Sequence, residues 1–446
     1  MQELFEHTSI KKAYFTLALP IALSMLVILL YNMVDTYFVA KTGIPALVAG
    51  VSQGAPLFTL MIAIGDIFGI GGSSLISRLF GEKKNELVRN VHSTCCYAAL
   101  ICGLIVSAVL FIWQTPFIHL LGASPATWKY ARDYYLVIAA GAPLIIFGLT
   151  PTNTLRTEGL AVPAMISSMV GTVINIFLNP FFIFTCGLGA AGSALATVTS
   201  NVIGDILMVY YLISKSHYLS INPRYFRLPM QYIRQILEIG IPASIINLMN
   251  TFAATMTNRY LIHYGANSVA SLGIAIKVSM IISMIFVGFA YGAQPLIGYT
   301  YGARDQKRYD ETIKFDFQVV VGFALVMTIL LQIFAPQFVR FFMNRPDIVH
   351  EGTLMVRWLT SSSAFAGAIL VLTTTFQSLG KAVPAFVLAL ARQGFCFYLA
   401  LIVLDHFFGY TGILAAQPAA DTVTLIIGLL LYQHYRPHFD QSNEPN

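Results

Sequence analysis

Twelve long apolar runs constrain the fold of this 446-residue chain more than any other feature of its sequence. A helix that crosses a bilayer needs about 20 consecutive, mostly apolar residues. Only 10% of the residues are charged, whereas a soluble domain carries roughly 25%, so the chain has too little polar surface to face water. We therefore predict an all-α integral membrane protein with twelve transmembrane helices. The predicted spans are 14–39, 46–77, 88–113, 129–151, 160–184, 190–213, 233–262, 268–299, 312–335, 352–376, 383–404 and 411–432.

The sequence repeats itself at a nearly constant offset. Four glycines and prolines recur 221 residues later, and Pro20 recurs as Pro242 after 222 residues. Six spans per repeat is an even number, so both halves enter the membrane from the same side and are related by an axis along the membrane normal. We predict an N-lobe (1–220, helices 1–6) and a C-lobe (221–446, helices 7–12) around a central cleft, joined by a polar linker at 214–231. The pairs at offset 221 are Gly81/Gly302, Pro125/Pro346, Gly159/Gly380 and Pro163/Pro384.

Basic residues in the loops predict the orientation. With the N-terminus placed in the cytoplasm, the loops on that side hold seventeen Lys and Arg residues and the opposite loops hold six. This bias follows the positive-inside rule. The sequence has no Asn-x-Ser/Thr glycosylation acceptor, which fits a bacterial protein. We expect a multi-pass protein of the bacterial cytoplasmic (inner) membrane with both termini in the cytoplasm.

Several classes of function lack their sequence signatures here. There is no Walker A loop, no HExxH and no plausible nucleophile elbow, and the five cysteines are not spaced as metal ligands or as a disulfide framework. The 26 Lys and Arg residues are spread along the chain, which argues against a nucleic-acid-binding patch. We predict a transporter, not an enzyme, without a cofactor, driven by an ion gradient or by the gradient of its own solute.

Asp35 is the first ionisable residue that needs an explanation. A charged side chain at membrane depth costs about 2.5–3.5 kcal/mol on insertion scales, so such residues are rare and usually functional. Tyr31 lies four residues earlier, on the same helical face, where its phenol can donate a hydrogen bond to the carboxylate. We predict that Asp35 couples ion movement to transport. The alternative is that it only caps the helix near the outer interface.

Asn175 and Asn179 form a second polar pair, in the fifth span. They are four residues apart and so share a helix face, and Pro180 directly after them should interrupt the helical hydrogen bonds and free backbone carbonyls. Amide and carbonyl oxygens suit a hard cation such as Na⁺. The sequence therefore predicts a possible Na⁺ site at Asp35, Asn175 and Asn179. Hydrogen bonding between helices explains the two amides equally well.

Other side chains in the spans are candidates for a substrate cleft. Asp205 lies deep in the sixth span, and Lys277 in the eighth can pair with a carboxylate and gate the cleft, although a structural ion pair is the simpler explanation. Methionine suits promiscuous apolar pockets because it is flexible and polarisable, but ordinary packing explains any single one. The sequence assigns no role to Asp66. The methionine candidates are Met256, Met280 and Met284.

Five segments together resemble one family of transporters. They are "LALPIALSML…VDTYFVA" in the first span, "GEKKNELVRN" after the second, "INIFLNPFFIF" in the fifth, "GAAGSALATV" leading into the sixth and "GFAYGAQPLIGYTYGA" through the eighth. With twelve spans in two repeats, they resemble the MATE (multidrug and toxic compound extrusion) family over nearly the whole chain. The resemblance implies an exporter that exchanges H⁺ or Na⁺ for organic, often cationic and amphipathic compounds.

The resemblance also assigns roles to single positions. Asp35 falls on the acidic residue of the family's first helix, Tyr31 on its neighbouring tyrosine and Asn175 on the asparagine of the fifth helix. Thr197 and Asn201, in the sixth span, match polar positions near the N-lobe cavity. These five residues and Asn179 make up the predicted ion-coupling set.

Two positions depart from the family pattern. Asn179 stands where many members have an aspartate, and an amide can coordinate a cation but cannot carry a proton. Asn250 stands where one branch has a glutamate in the seventh helix, which puts a C-lobe ion site of that type in doubt; we keep Asn250 as a cleft candidate. Asp35 is then the main titratable group.

Alternatives to an antiporter remain open at the level of sequence. A flippase for lipids or lipid-linked saccharides, with a related fold, should have a strongly basic cleft, and only about three cations lie inside the spans. A membrane-embedded enzyme needs clustered catalytic groups, and a channel needs a pore loop; neither is visible. We expect a monomer whose partners are small organic molecules, a coupling cation and the lipid bilayer.

Overall fold

The computed structural model describes residues 3–439, apart from the side chain of Ala266. Over that range the chain forms helices and short connections, with no β-strand. Twelve helices are long and apolar enough to cross a membrane, which confirms the predicted number of spans and the all-α fold class.

The described residues form fifteen α-helices, of which fourteen build the twelve spans. Helix α4 is too short to span, and two spans are composite: α11 and α12 form Pro346–Ser378, and α13 and α14 form Ala382–Phe408 with a π-helical turn between them. The helices are α1 (Ile10–Lys41), α2 (Pro45–Gly81), α3 (Asn85–Ile112), α4 (Gln114–Leu120), α5 (Trp128–Thr154), α6 (Ala161–Pro180), α7 (Gly189–Lys215), α8 (Met230–Leu261), α9 (Ala266–Gly302), α10 (Gln306–Phe342), α11 (Pro346–Ser361), α12 (Ser363–Ser378), α13 (Ala382–Leu390), α14 (Cys396–Phe408) and α15 (Tyr410–Tyr435).

Three helices are much longer than a bilayer requires. Helices α2, α9 and α10 each have 37 residues, or about 55 Å, against a hydrocarbon core of roughly 30 Å. The sequence predicted this for α2 and α9 but not for α10, whose apolar run is shorter. Asp305 explains the extension at the N-terminal end of α10, because its side chain accepts a hydrogen bond from the backbone N–H of Arg308 (2.9 Å). This N-cap starts the helix in a polar segment, ahead of the apolar run.

The chain divides into two compact units at the first helix of each repeat. The first unit runs from Leu23 to Asn247, and the second combines the segment ending at Ala22 with the chain from Leu248 onward. Both boundaries fall inside a helix, shortly after Pro20 in α1 and Pro242 in α8. Compared with the predicted lobes (1–220 and 221–446), the first unit gains the first half of α8 and the second unit gains the first half of α1. The lobes remain a prediction about the repeat.

Close backbone contacts explain why the first half of α1 belongs to the second unit. A Cβ atom added to Gly292 of α9 would lie 2.3 Å from the Cα atom of Ala18, and one added to Gly288 would lie 2.4 Å from the Cα atom of Ala22. Small residues on both sides let two helix backbones approach this closely.

The first unit contains a corresponding contact between α8 and α2. A Cβ atom on Gly240 would lie 2.0 Å from the carbonyl oxygen of Ile67, and one on Gly71 would lie 2.3 Å from that of Ile236. Ile67 and Gly71 are the residues 221 positions before Gly288 and Gly292. The repeat therefore brings corresponding helices close together in both units, although the residues in contact are shifted by one helical turn.

Gly292→Ala should destabilise the protein by about 1–3 kcal/mol, because the added methyl group has to push two backbones apart. Gly273→Ala is the matched control in the same helix, since a Cβ atom there would meet nothing within 4 Å; it should be neutral or gain up to about 1 kcal/mol of helix propensity. Thermal unfolding of both variants in the same detergent measures the difference. Equal melting temperatures would contradict the close approach.

The predicted linker packs against the first unit through Glu158. This buried carboxylate accepts hydrogen bonds from the backbone N–H of His217 (2.7 Å) and of Tyr218 (3.3 Å), and from the hydroxyl of Ser216. Because α7 ends at Lys215, these groups lie directly after its last turn. Glu158 therefore fixes the start of the linker.

Candidate functional site

Asp35 lies at the centre of a hydrogen-bonded network in the first unit. Its Oδ1 atom accepts hydrogen bonds from the Nδ2 atom of Asn179 in α6 and from the hydroxyl of Ser193 in α7 (3.3 Å). Asp35 itself is half-buried in α1, whereas Asn179 and Ser193 are buried. Three helices therefore meet at one carboxylate.

The network extends from Asp35 along one face of α6. The Nδ2 atom of Asn179 lies 3.3 Å from the Oδ1 atom of Asn175, whose own Nδ2 atom donates to the hydroxyl of Ser200 (3.1 Å). Asn175 and Asn179 are both buried. The shared helix face predicted from their spacing is confirmed, and it points toward Asp35.

Tyr31 is in the network but does not reach Asp35 as predicted. Its hydroxyl lies 3.2 Å from the hydroxyl of Thr197 in α7, and no hydrogen bond joins it to Asp35 within the described chain. The reason is the direction of helical side chains, which lean toward the helix N-terminus. The phenol of Tyr31 therefore runs away from a residue that lies four positions further along the same helix.

Helix α7 contributes a polar stripe that the sequence reading only partly identified. Ser193, Thr197 and Ser200 lie at spacings of four and three, which is one helix face, and all three are buried. Asn201, by contrast, donates to the backbone carbonyl of Thr197 in its own helix (2.7 Å). Ser193 and Ser200 were missed, although this spacing in "SALATVTSN" would have predicted them.

The backbone changes helix type directly after Asn179. Helix α6 ends at Pro180, and a π-helical turn follows over Phe181–Thr185. The predicted interruption of the helix at Pro180 is therefore present. π-Helical turns are rare and occur frequently at functional sites, which makes this end of α6 a place where the backbone can rearrange.

The donor set of the network fits a proton or a hard cation. It offers one carboxylate together with amide and hydroxyl oxygens, the ligand types that hard cations prefer. The Oδ1 atom of Asn179 is a buried acceptor without a hydrogen-bond partner in the described part of the chain. Transition-metal binding has no comparable support, because residues 3–439 contain no group of three His, Cys, Asp or Glu side chains placed to hold a metal ion.

The predicted cleft candidates do not join this network. Asp205, also in the first unit, packs against Gly148, where an added Cβ atom would lie 2.1 Å from its Oδ1 atom. In the second unit Asn250 and Lys277 are exposed, and Lys277 has no ion-pair partner among the described residues. The structural ion pair considered for Lys277 is therefore absent there. The three methionines, Met256, Met280 and Met284, are half-buried.

Three further ionisable residues of the spans, Asp66, Asp316 and Arg392, have local partners. Asp66 accepts a hydrogen bond from Asn247 (3.1 Å) in the first unit. In the second unit Asp316 accepts one from the hydroxyl of Tyr14 (2.8 Å), and Arg392 forms a 3.0 Å ion pair with Asp421.

A family model confirms the repeat. The MatE family model matches the chain twice, over residues 20–181 and 242–402. The two matches begin 222 residues apart, at the two prolines that open the repeats, and together cover well over half of the chain.

Curated relatives match nearly the full length. The multidrug export protein MepA of Staphylococcus haemolyticus is 29% identical over 433 residues, which is 97% of this chain and 95% of that protein. MepA of Staphylococcus saprophyticus is 28% identical over 427 residues, covering 96% and 94%. Both relatives are named as exporters and not as enzymes.

Solved structures share the fold. A crystal structure of MATE in complex with MaL6 superposes with a TM-score of 0.92 at 26% identity, covering 97% of each chain. A MOP superfamily transporter from Pyrococcus furiosus, described as having a binding pocket of reversed polarity that suggests a different function, gives 0.91 at 26% identity over 97% of each chain. With the twelve spans, the double family match and these relatives taken together, the chain belongs to the MatE family and is a multi-pass membrane transporter of the MATE type.

Proposed function

We propose that this protein is a multidrug efflux antiporter that exchanges H⁺ or Na⁺ for organic, often cationic and amphipathic compounds by alternating access. Full-length relatives named as multidrug exporters support the choice of substrates. The observation that carries the coupling is the network around Asp35, where a single carboxylate meets two helices besides its own. The fold alone does not fix the substrate, because a relative of the same fold is described as having reversed pocket polarity.

Coupling follows from the chemistry of the network. With its carboxylate ionised and no cation bound, Asp35 accepts hydrogen bonds from Asn179 and Ser193. A proton on Asp35, or a Na⁺ ion held by Asp35 and the amide oxygens of Asn175 and Asn179, neutralises this charge and competes for the same oxygen atoms. Helix α1 is then free to change its contacts with α6 and α7, and the adjoining π-helical turn offers a backbone that can adjust.

The energy available sets the scale of export. One elementary charge that crosses 100 mV supplies about 2.3 kcal/mol. One coupling ion per cycle therefore supports accumulation of an uncharged compound of about fiftyfold from that source, whereas one-for-one exchange with a monovalent organic cation moves no net charge and draws only on the ion's concentration gradient. We further propose a monomer that uses no cofactor besides the coupling ion and that lies in a bacterial cytoplasmic membrane with both termini in the cytoplasm.

Purified protein in proteoliposomes tests this function. A fluorescent organic cation such as ethidium is loaded, and Na⁺ and pH gradients are imposed separately. We expect one of the two gradients to accelerate efflux at least tenfold over its absence, which identifies the coupling ion. Efflux at the same rate under the Na⁺ gradient, under the pH gradient and without a gradient would refute coupled antiport. It would favour a flippase, or a substrate that is not an organic cation.

A further inference from the structure

A groove in the second unit lies between the last turns of α10 and the first turns of α11, with a volume of about 530 Å³. Arg340 lines it from α10, and His350, Thr353 and Arg357 line it from α11. The spacing of the three α11 residues places them on one helix face. The groove is at the opposite end of α10 from Gln306 and belongs to the second unit, whereas the Asp35 network belongs to the first.

The groove is cationic and has no acidic residue in its lining. Arg340 and His350 are exposed and make no hydrogen bond or ion pair within the described range. The guanidinium of Arg357 donates only through its Nε atom, to the backbone carbonyl of Gln332 (3.2 Å). Glu351, the nearest acid along the helix, is not in the lining and accepts a hydrogen bond from Ser268 (3.0 Å) instead. Two arginines therefore present unused donors to one space.

Thr353 gives a second, independent sign of a ligand. Thr353 is a lining residue that is only 9% exposed, and its buried hydroxyl has no hydrogen-bond partner in the described chain. Buried hydroxyls usually have a partner, and each exception needs an explanation. A phosphate oxygen in the groove would supply one.

The other lining residues, apart from Asn344, are apolar, which indicates an amphiphile. Val349 and Leu354 line the groove beside the cations. The adjoining face of α10 exposes large apolar side chains, including Ile333 (59% exposed) and Phe341 (82%). In a spanning helix such a face is in contact with lipid. A molecule with an anionic head and apolar tails fits both surfaces.

We propose that this groove binds the headgroup phosphate of an anionic membrane phospholipid. The two guanidinium groups hold the phosphate oxygens, because arginine matches phosphate geometry with paired donors. The hydroxyl of Thr353 donates a third hydrogen bond. The acyl chains lie along the exposed apolar face of α10. This assignment also explains Arg357, which lies about 16 Å along α11 from Pro346 and has no carboxylate partner.

Native mass spectrometry of the delipidated full-length protein tests the site. The protein is titrated with dioleoyl phosphatidylglycerol, with dioleoyl phosphatidylcholine or with inorganic phosphate. We expect one phosphatidylglycerol to be retained at least about tenfold more tightly than phosphatidylcholine. Both lipids carry the phosphate, but the quaternary ammonium of phosphatidylcholine is repelled by the two guanidinium groups. Arg340→Gln and Arg357→Gln should each remove this one tight lipid.

Arg345→Gln is the matched control, because Arg345 precedes α11 at the same end of the unit but does not line the groove. It should change retention by less than about threefold. Arg340→Gln by itself is sufficient for the test if Arg357→Gln unfolds, since Arg340 has no partner to lose among residues 3–439. Equal retention of both lipids, an equal loss in Arg345→Gln, or displacement of the lipid by millimolar phosphate would overturn the proposal.

Discussion

Asp35→Asn is expected to reduce gradient-driven efflux to the level of liposomes that contain no protein, while the variant still folds. The amide has nearly the shape of the carboxylate and can still accept a hydrogen bond from Ser193, so little packing is lost. It cannot take up a proton, and it has no charge to attract Na⁺. The measurement is ethidium efflux under the gradient that drives the wild type, together with the melting temperature in detergent.

Two further variants make the result specific to the network. Asn179→Ala removes a donor to Asp35 and should weaken coupling without abolishing it, because the carboxylate remains. Asp133→Asn changes a carboxylate of α5 that makes no hydrogen bond to the network and should leave efflux within about twofold of wild type. Active efflux in Asp35→Asn, or the same loss in Asp133→Asn, would show that Asp35 is not the coupling group.

Asp421→Ala is expected to cause the largest loss of stability, about 3–5 kcal/mol, the usual range when one partner of a buried ion pair is removed. The side chain of Asp421 is 2% exposed and that of Arg392 is 25% exposed. Ser362 (2.7 Å) and Gln417 (2.9 Å) also donate hydrogen bonds to the carboxylate. Its removal therefore leaves three donors without their acceptor.

The control is an ion pair that is shorter but exposed. Lys84 and Glu82 lie 2.6 Å apart, with 56% and 39% of their side chains exposed, and Glu82→Ala should cost less than about 1 kcal/mol because water and salt screen the pair. Thermal or denaturant unfolding in one detergent compares the two. The double variant Asp421→Ala/Arg392→Ala should cost less than the sum of its single variants. A smaller loss for Asp421→Ala than for Glu82→Ala would contradict this assignment.

The sequence by itself determined the fold class, the number of spans and the repeat. Lipid cannot form hydrogen bonds with backbone polar groups, so a long apolar run that crosses the membrane has to be helical. The offset between Pro20 and Pro242 can be read directly from the sequence. It also predicted that Asn175 and Asn179 share a face, because helical spacing is local. These features depend on residues close in sequence or on simple counts.

Only the tertiary structure decided which side chains meet. Asn179 reaches Asp35 across 144 positions of the chain, whereas Tyr31, four positions away, bonds to Thr197 because helical side chains lean toward the N-terminus. The assignment of the first half of α1 to the second unit likewise depends on Gly288 and Gly292, whose missing Cβ atoms allow a close approach to a distant helix. Helical periodicity fixes the face on which a residue lies, but the packing of distant helices fixes what that face contacts.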